Sequence, residues 1–176
     1  NNRIMVYDIL DLGKQLKTMG LLVITDAMLN RVTENWKQGK RTHIFLDEFH
    51  VVFENEYSGA FFNSAWRRFR KRNAFPTAIT QNVEYLLDSV LASTMISNSE
   101  YIVMLNQAEP DREKLAALLN ISTEQLGYIP YGDAGCGLVK YGSSLVPFVN
   151  RFPTNTRLFK LMTTKPGEDS INRGRM

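Results

Sequence analysis

Apolar and polar positions along this chain change period several times, and each change predicts an element. Residues 3–9, with Ile4, Met5, Val6, Tyr7 and Ile9, read as a strand. From Lys14 to Gln38 the apolar positions Leu16, Met19, Val23, Ala27, Val32 and Trp36 keep an approximate helical spacing, which predicts one long helix weakened at Gly20 and stopped at Gly39. Residues 42–46 form a short apolar run that ends at Asp47 and Glu48, as a buried strand would. A loop over 54–58 and a helix over 60–72 follow, with Phe61, Ala65 and Phe69 on one face. Residues 75–80 are the next strand, with Pro76 near its start, where a missing N–H is tolerated. Residues 83–87 and 89–96 read as helices, and residues 100–105 as a strong apolar strand.

Strands thus alternate with helices, which predicts an α/β fold with a mainly parallel sheet, right-handed crossovers and helices on both faces. Sites in such sheets lie at the carboxyl ends of the strands. Past residue 105 the pattern changes. A helix runs from Pro110 to about Leu119 and a second, short one follows Ser122. Residues 138–141 and 145–149 flank Gly142 as a β-hairpin, and residues 157–162 read as a last strand. Residues 1–164 are expected to form one domain, and residues 165–176 a loose tail rich in charge.

Composition narrows the function classes. A chain of 176 residues with 44% hydrophobic and 22% charged positions is ordinary globular material. No apolar run approaches the roughly 20 residues of a membrane span, and no secretory signal is visible, so a cytoplasmic protein is expected. One cysteine, Cys136, excludes a disulfide framework, and two histidines argue against a histidine-rich metal site. Net charge is only +3, but Arg67, Arg68, Arg70, Lys71 and Arg72 crowd six positions. Such a cluster is either a solvated helix end complementing the dipole or a phosphate-facing patch.

The run from His43 to Glu48, an apolar strand ending in two acids, has the form of a Walker B motif. Hydrolysis of a nucleoside triphosphate uses both acids: Asp47 to hold Mg²⁺ and Glu48 to orient and activate the attacking water. The competing reading is a strand that merely ends in acidic surface residues. Thr80, Gln81 and Asn82 end the next strand, so Gln81 can stand beside Glu48 as a sensor of the γ-phosphate, while Asn82 can cap the following helix. Arginines of the 67–72 cluster can complete a neighbouring subunit's site. Asp47, Glu48, Phe49 and His50 also fit the DExH box of helicases, although His50 reads more simply as a packing residue. A third class of function is a non-catalytic assembly or DNA-binding module, with the arginines on phosphates and Trp66 and Phe69 free for base stacking. No G-x-x-x-x-G-K-[ST] occurs anywhere, so the chain encodes no phosphate cradle.

Residues 3–9, 12–16, 42–49, 70–73, 80–84, 96–99, 135–142 and 161–168, in that order, resemble the C-terminal part of the motor ATPases of type IV secretion and conjugation. The likeness is greatest to the conjugative-transposon kind, within the FtsK/HerA group of P-loop ATPases. The resemblance implies a RecA-like sheet, ATP and Mg²⁺ as cofactors, assembly as a homo-hexamer, membrane-channel components as partners, DNA or protein as cargo, and work at the cytoplasmic face of the membrane. By motif it assigns Asp47 to the metal, Glu48 and Gln81 to catalysis, and Arg68, Arg70 and Arg72 to the region of intersubunit arginines. It also assigns Gly135 and Gly137 to a glycine loop near the subunit interface. The start in mid-sheet and the missing Walker A then imply a fragment that is inactive alone.

Overall fold

The computed structural model describes residues 2–9, 11–106, 109–127 and 135–163. The expected tail and the last part of the 161–168 motif lie outside them. Helix α1 (Lys14–Lys37) leads into strand β1 (Thr42–Leu46), a 3₁₀ turn (Phe49–Phe53), α2 (Glu56–Lys71) and β2 (Ala74–Ala78). Then come α3 (Val83–Asp88), α4 (Val90–Ser97), β3 (Tyr101–Leu105), α5 (Glu109–Leu119), α6 (Thr123–Leu126), β4 (Cys136–Tyr141), β5 (Ser144–Val149) and α7 (Arg157–Met162). The described residues fall into two compact units: those up to Ser99 with Ala117–Leu119, and the remainder.

In the first unit β1 and β2 pair in parallel, from Thr42 against Ala74 to Leu46 against Ala78, with α2 as the crossover. Side chains alternate across a strand. Ile44 therefore faces the core with Leu29 and Val32 of α1, Phe62, Ala65 and Phe69 of α2, and Ala92 and Met95 of α4. His43, Phe45 and Phe75 point the other way and are exposed, Phe45 to 71%. Among the described residues, then, helices cover one face of this sheet and not the two expected. Helix α2 begins earlier than its apolar spacing suggests. Asn55 caps it, its Oδ1 accepting the N–H groups of Tyr57 at 2.9 Å and Ser58 at 3.4 Å, so the expected loop over 54–58 is largely first turn. The long helix is as expected, and Gly39 beyond its end takes φ +70°, which suits glycine.

The second unit departs from a single parallel sheet. β3 is a strand as expected, but it pairs antiparallel with β4, Tyr101 against Tyr141 and Leu105 against Gly137. β4 and β5 form the expected hairpin about Gly142, completing a three-stranded antiparallel sheet. Leu138 and Met104 are buried, while Tyr101, Val103 and Leu105 are about half exposed. One wet face is what an antiparallel sheet tolerates and a parallel one rarely does. Residues 157–162 are a helix, not a strand: the Thr156 hydroxyl accepts the Phe159 N–H at 3.2 Å and caps it. Residues 3–9 pair with no strand among the described residues, and Ile4 and Val6 are exposed. The fold is a mixed α/β one with a small parallel sheet and an antiparallel hairpin sheet.

Candidate active site

The parallel pair puts the carboxyl ends of β1 and β2 side by side. Two backbone hydrogen bonds lock the ends beyond the strands: Ile79 N–H donates to the Leu46 carbonyl at 2.8 Å, and Phe49 N–H to the Ile79 carbonyl at 2.9 Å. Asp47, Glu48, Thr80 and Gln81 are thereby gathered on one edge of one sheet, as their sequence positions require. Asp47, Glu48 and Gln81 are all exposed.

Glu48 sits in an uncommon backbone state, φ 48° and ψ 46°, in the left-handed region. A non-glycine residue there costs about 1–3 kcal/mol, and such residues cluster at functional sites. Its N–H donates to Asp47 Oδ1 at 3.0 Å, which holds the turn and leaves Asp47 Oδ2 free of that bond. In this turn Glu48 Oε2 lies 3.3 Å from Nδ1 of His50. The same Nδ1 is 3.2 Å from the Thr80 hydroxyl, and Thr80 Oγ1 in turn accepts the Asn82 N–H at 3.1 Å. His50 therefore contacts both strand ends. Only the sheet register brings Thr80, 30 positions away, within its reach. Asn82 precedes α3 but makes no side-chain capping bond to it.

The arginines lie elsewhere. Because α2 returns from the end of β1 to the start of β2, its last turns stand at the amino edge of the sheet, where the Asn73 carbonyl accepts the Thr42 N–H. Five-residue strands at about 3.3 Å per residue put roughly 16 Å between the two edges. Arg67, Arg68, Arg70 and Lys71 are exposed there. Arg72 is half-buried, and its guanidinium donates to the Thr33 hydroxyl of α1 at 2.6 Å. Trp66 and Phe69 are not free for stacking on bases: Phe69 is fully buried, and Trp66 packs 5.8 Å from Phe49 and 6.0 Å from Phe62.

Gly135 and Gly137 belong to the second unit and have local reasons to be glycine. Gly135 takes φ +87°, and its carbonyl accepts the Asn150 N–H at 2.8 Å; a Cβ there would run into the Asn150 carbonyl. Gly137 lies in β4, where a Cβ would strike the Met104 carbonyl of β3. Close strand approach accounts for both without a ligand. Cys136 between them is a buried free thiol.

Exposed carboxylate oxygens are the hard donors Mg²⁺ takes, usually one or two with waters and substrate phosphates completing the shell, so Asp47 and its neighbour fit that ion. Among the described residues no group of three or more His, Cys, Asp or Glu is placed to hold a metal, and no helix is long and apolar enough to cross a membrane.

No family model and no curated protein matches the chain. Among solved structures the fold is similar to that of VirB4 of Thermoanaerobacter pseudethanolicus, with a TM-score of 0.71 and 22% identity over 85% of this chain. The match takes in 41% of the VirB4 chain, so this sequence spans less than half the length of that relative. At this identity the likeness establishes a shared fold.

Proposed function

We propose that this chain is the C-terminal part of a motor ATPase of the type IV secretion and conjugation kind, and that it supplies the water-activating half of an ATP site. The observation that carries the reading is the joint edge of β1 and β2, where Asp47, Glu48 and Gln81 meet at the carboxyl ends of parallel strands. The ordered sequence resemblance and the VirB4-like fold both support it.

Each residue has a task at that edge. Glu48, exposed and held in its turn, orients a water and takes its proton. Gln81, one residue past Thr80, is placed to hold that water or touch the terminal phosphate. Asp47 holds Mg²⁺, which when bound neutralises phosphate charge. On this reading the phosphate cradle is not among these residues, since no lysine-bearing glycine loop is encoded in them. A larger, RecA-like sheet accords with a β1–β2 pair that no further strand joins among the described residues and with the exposed Phe45 and Phe75, since parallel sheets are covered on both faces.

The arginines take their place in trans. Standing at the opposite edge from Glu48, Arg67, Arg68 and Arg70 serve the site of a neighbouring copy in a ring, with hexamer the expected size. Channel components would then dock the ring at the cytoplasmic face of the membrane, with DNA or protein as cargo. Glu48→Gln in the full-length protein tests the core of this reading. It keeps shape but removes the base, so ATP binding should persist while turnover falls about 10²–10⁴-fold. Native turnover in that variant would sink the proposal.

A further inference from the structure

The contact between the two strand ends assigns a role to a residue that the motif alone leaves idle. We infer that His50 is the positioning residue for the Glu48 carboxylate and couples it to the end of β2 through Thr80; this rests on the ATPase reading above.

Three features carry the inference. The first is chemical. An ionised carboxylate only accepts hydrogen bonds, so a bond between Glu48 Oε2 and His50 Nδ1 requires the ring hydrogen on Nδ1. In the tautomer that carries it there, the ring hydrogen faces Glu48 Oε2 at 3.3 Å and the Thr80 hydroxyl at 3.2 Å. The second is mechanical. The His50 side chain is 18% exposed against 48% for Glu48, so the imidazole is the better anchored of the two. His50 lies within the 3₁₀ turn, whose neighbours Phe49 and Val52 are buried in the core, and this roots the ring in packed structure. A group held this way restricts the rotamers of a carboxylate that would otherwise sweep through water. The third is topological. Thr80 is adjacent to Gln81, and Thr80 Oγ1 also accepts the Asn82 N–H at 3.1 Å, so the hydroxyl and the turn that presents Gln81 move together. A displacement of Gln81 by nucleotide would shift Thr80, release or tighten the His50 bond, and so re-aim Glu48. Glu48 and the residue before Gln81 thus share one imidazole.

Steady-state hydrolysis of Mg-ATP by the full-length protein tests this, with Glu48→Gln as the reference variant. His50→Ala should lower kcat by about 10-fold or more, the range typical for residues that orient a reacting group, with KM changed less than about twofold. His50→Asn places an Nδ2–H where Nδ1–H stood and should recover most of the loss, which a residue needed only for ring packing would not allow. Thr80→Val, which removes the hydroxyl at constant shape, should lower kcat several-fold, and its effect should be largely absent in the His50→Ala background. Native kcat in both His50→Ala and Thr80→Val, with Glu48→Gln inactive, overturns the inference and leaves the ATPase reading standing. Equal losses in His50→Ala and His50→Asn overturn it as well, by assigning the ring to packing. Full activity of Glu48→Gln instead removes the ATPase reading itself. Should His50→Ala fail to fold, Thr80→Val decides the matter, native kcat in that variant being the contradicting result.

Discussion

Arg72 reaches back from the end of α2 to donate a 2.6 Å hydrogen bond to the Thr33 hydroxyl of α1, so the last cation of the cluster is an internal tie between two helices. Arg67, Arg68 and Arg70 have no such inward role and lie exposed. The cluster therefore divides by task. Replacing Arg72 by Met should destabilise the folded chain by about 1 kcal/mol, less than the roughly 1.5–3 kcal/mol of a hydrogen bond to a charged group because the site is only half-buried. Replacing Arg67 by Ala should change stability by less than about 0.5 kcal/mol, as at an ordinary surface site. Urea unfolding of the two variants checks this, and equal midpoints would show that the tie contributes nothing.

The same helix supplies a second pair of expectations. Asn55 satisfies two N–H groups at the start of α2, and Asn55→Ala should cost about 1 kcal/mol. Phe69 is fully buried against Phe62, with ring centroids 6.3 Å apart, and Phe69→Ala should cost about 3–5 kcal/mol. Thermal unfolding should rank them in that order. A Phe69→Ala variant as stable as native would mean that the core described around α2 is not the one that holds the chain together.

Gly137 offers a test of what the glycine pair is for. Its backbone lies against the Met104 carbonyl, so Gly137→Ala should destabilise the antiparallel sheet by about 1–3 kcal/mol through overpacking. Full-length protein that still folds should then keep the native KM for Mg-ATP. A Gly137→Ala protein with native melting temperature and weakened nucleotide binding would instead return the 135–142 segment to the site.

What the sequence disclosed follows from which forces are local. The helix beginning at Lys14, the strand at Thr42 and the hairpin about Gly142 were legible, because period and turn chemistry are written in neighbouring residues. So was the meeting of Asp47, Glu48 and Gln81, since one helix between two strands dictates parallel neighbours. The partner of Tyr101–Leu105 was not legible: an apolar pentapeptide looks alike in a parallel or antiparallel ladder, and the strand that claims it begins at Cys136. Arg157–Met162 is too short for its apolar positions to separate helix from strand, and the Thr156 cap decides for helix. His50 needed the register to find Thr80. The arginines were visible as a cluster, but only the return of α2 to the amino edge places them at the opposite edge of the sheet from Glu48.

On the proposed reading, that separation makes the acids and the arginines two halves of a site shared between copies. The measurement that tests it most directly is ATP turnover in mixed assemblies of the full-length protein. One subunit carries Glu48→Gln; the other carries Arg67→Ala, Arg68→Ala and Arg70→Ala together. Each variant alone should be inactive, the arginine set costing about 10³-fold or more. Mixed and shown to co-assemble, they should regain turnover well above either parent, because an intact Glu48 of one copy then meets intact arginines of the next. Co-assembled mixtures that stay as inactive as their parents, or an arginine variant with native turnover on its own, would contradict a site divided in this way.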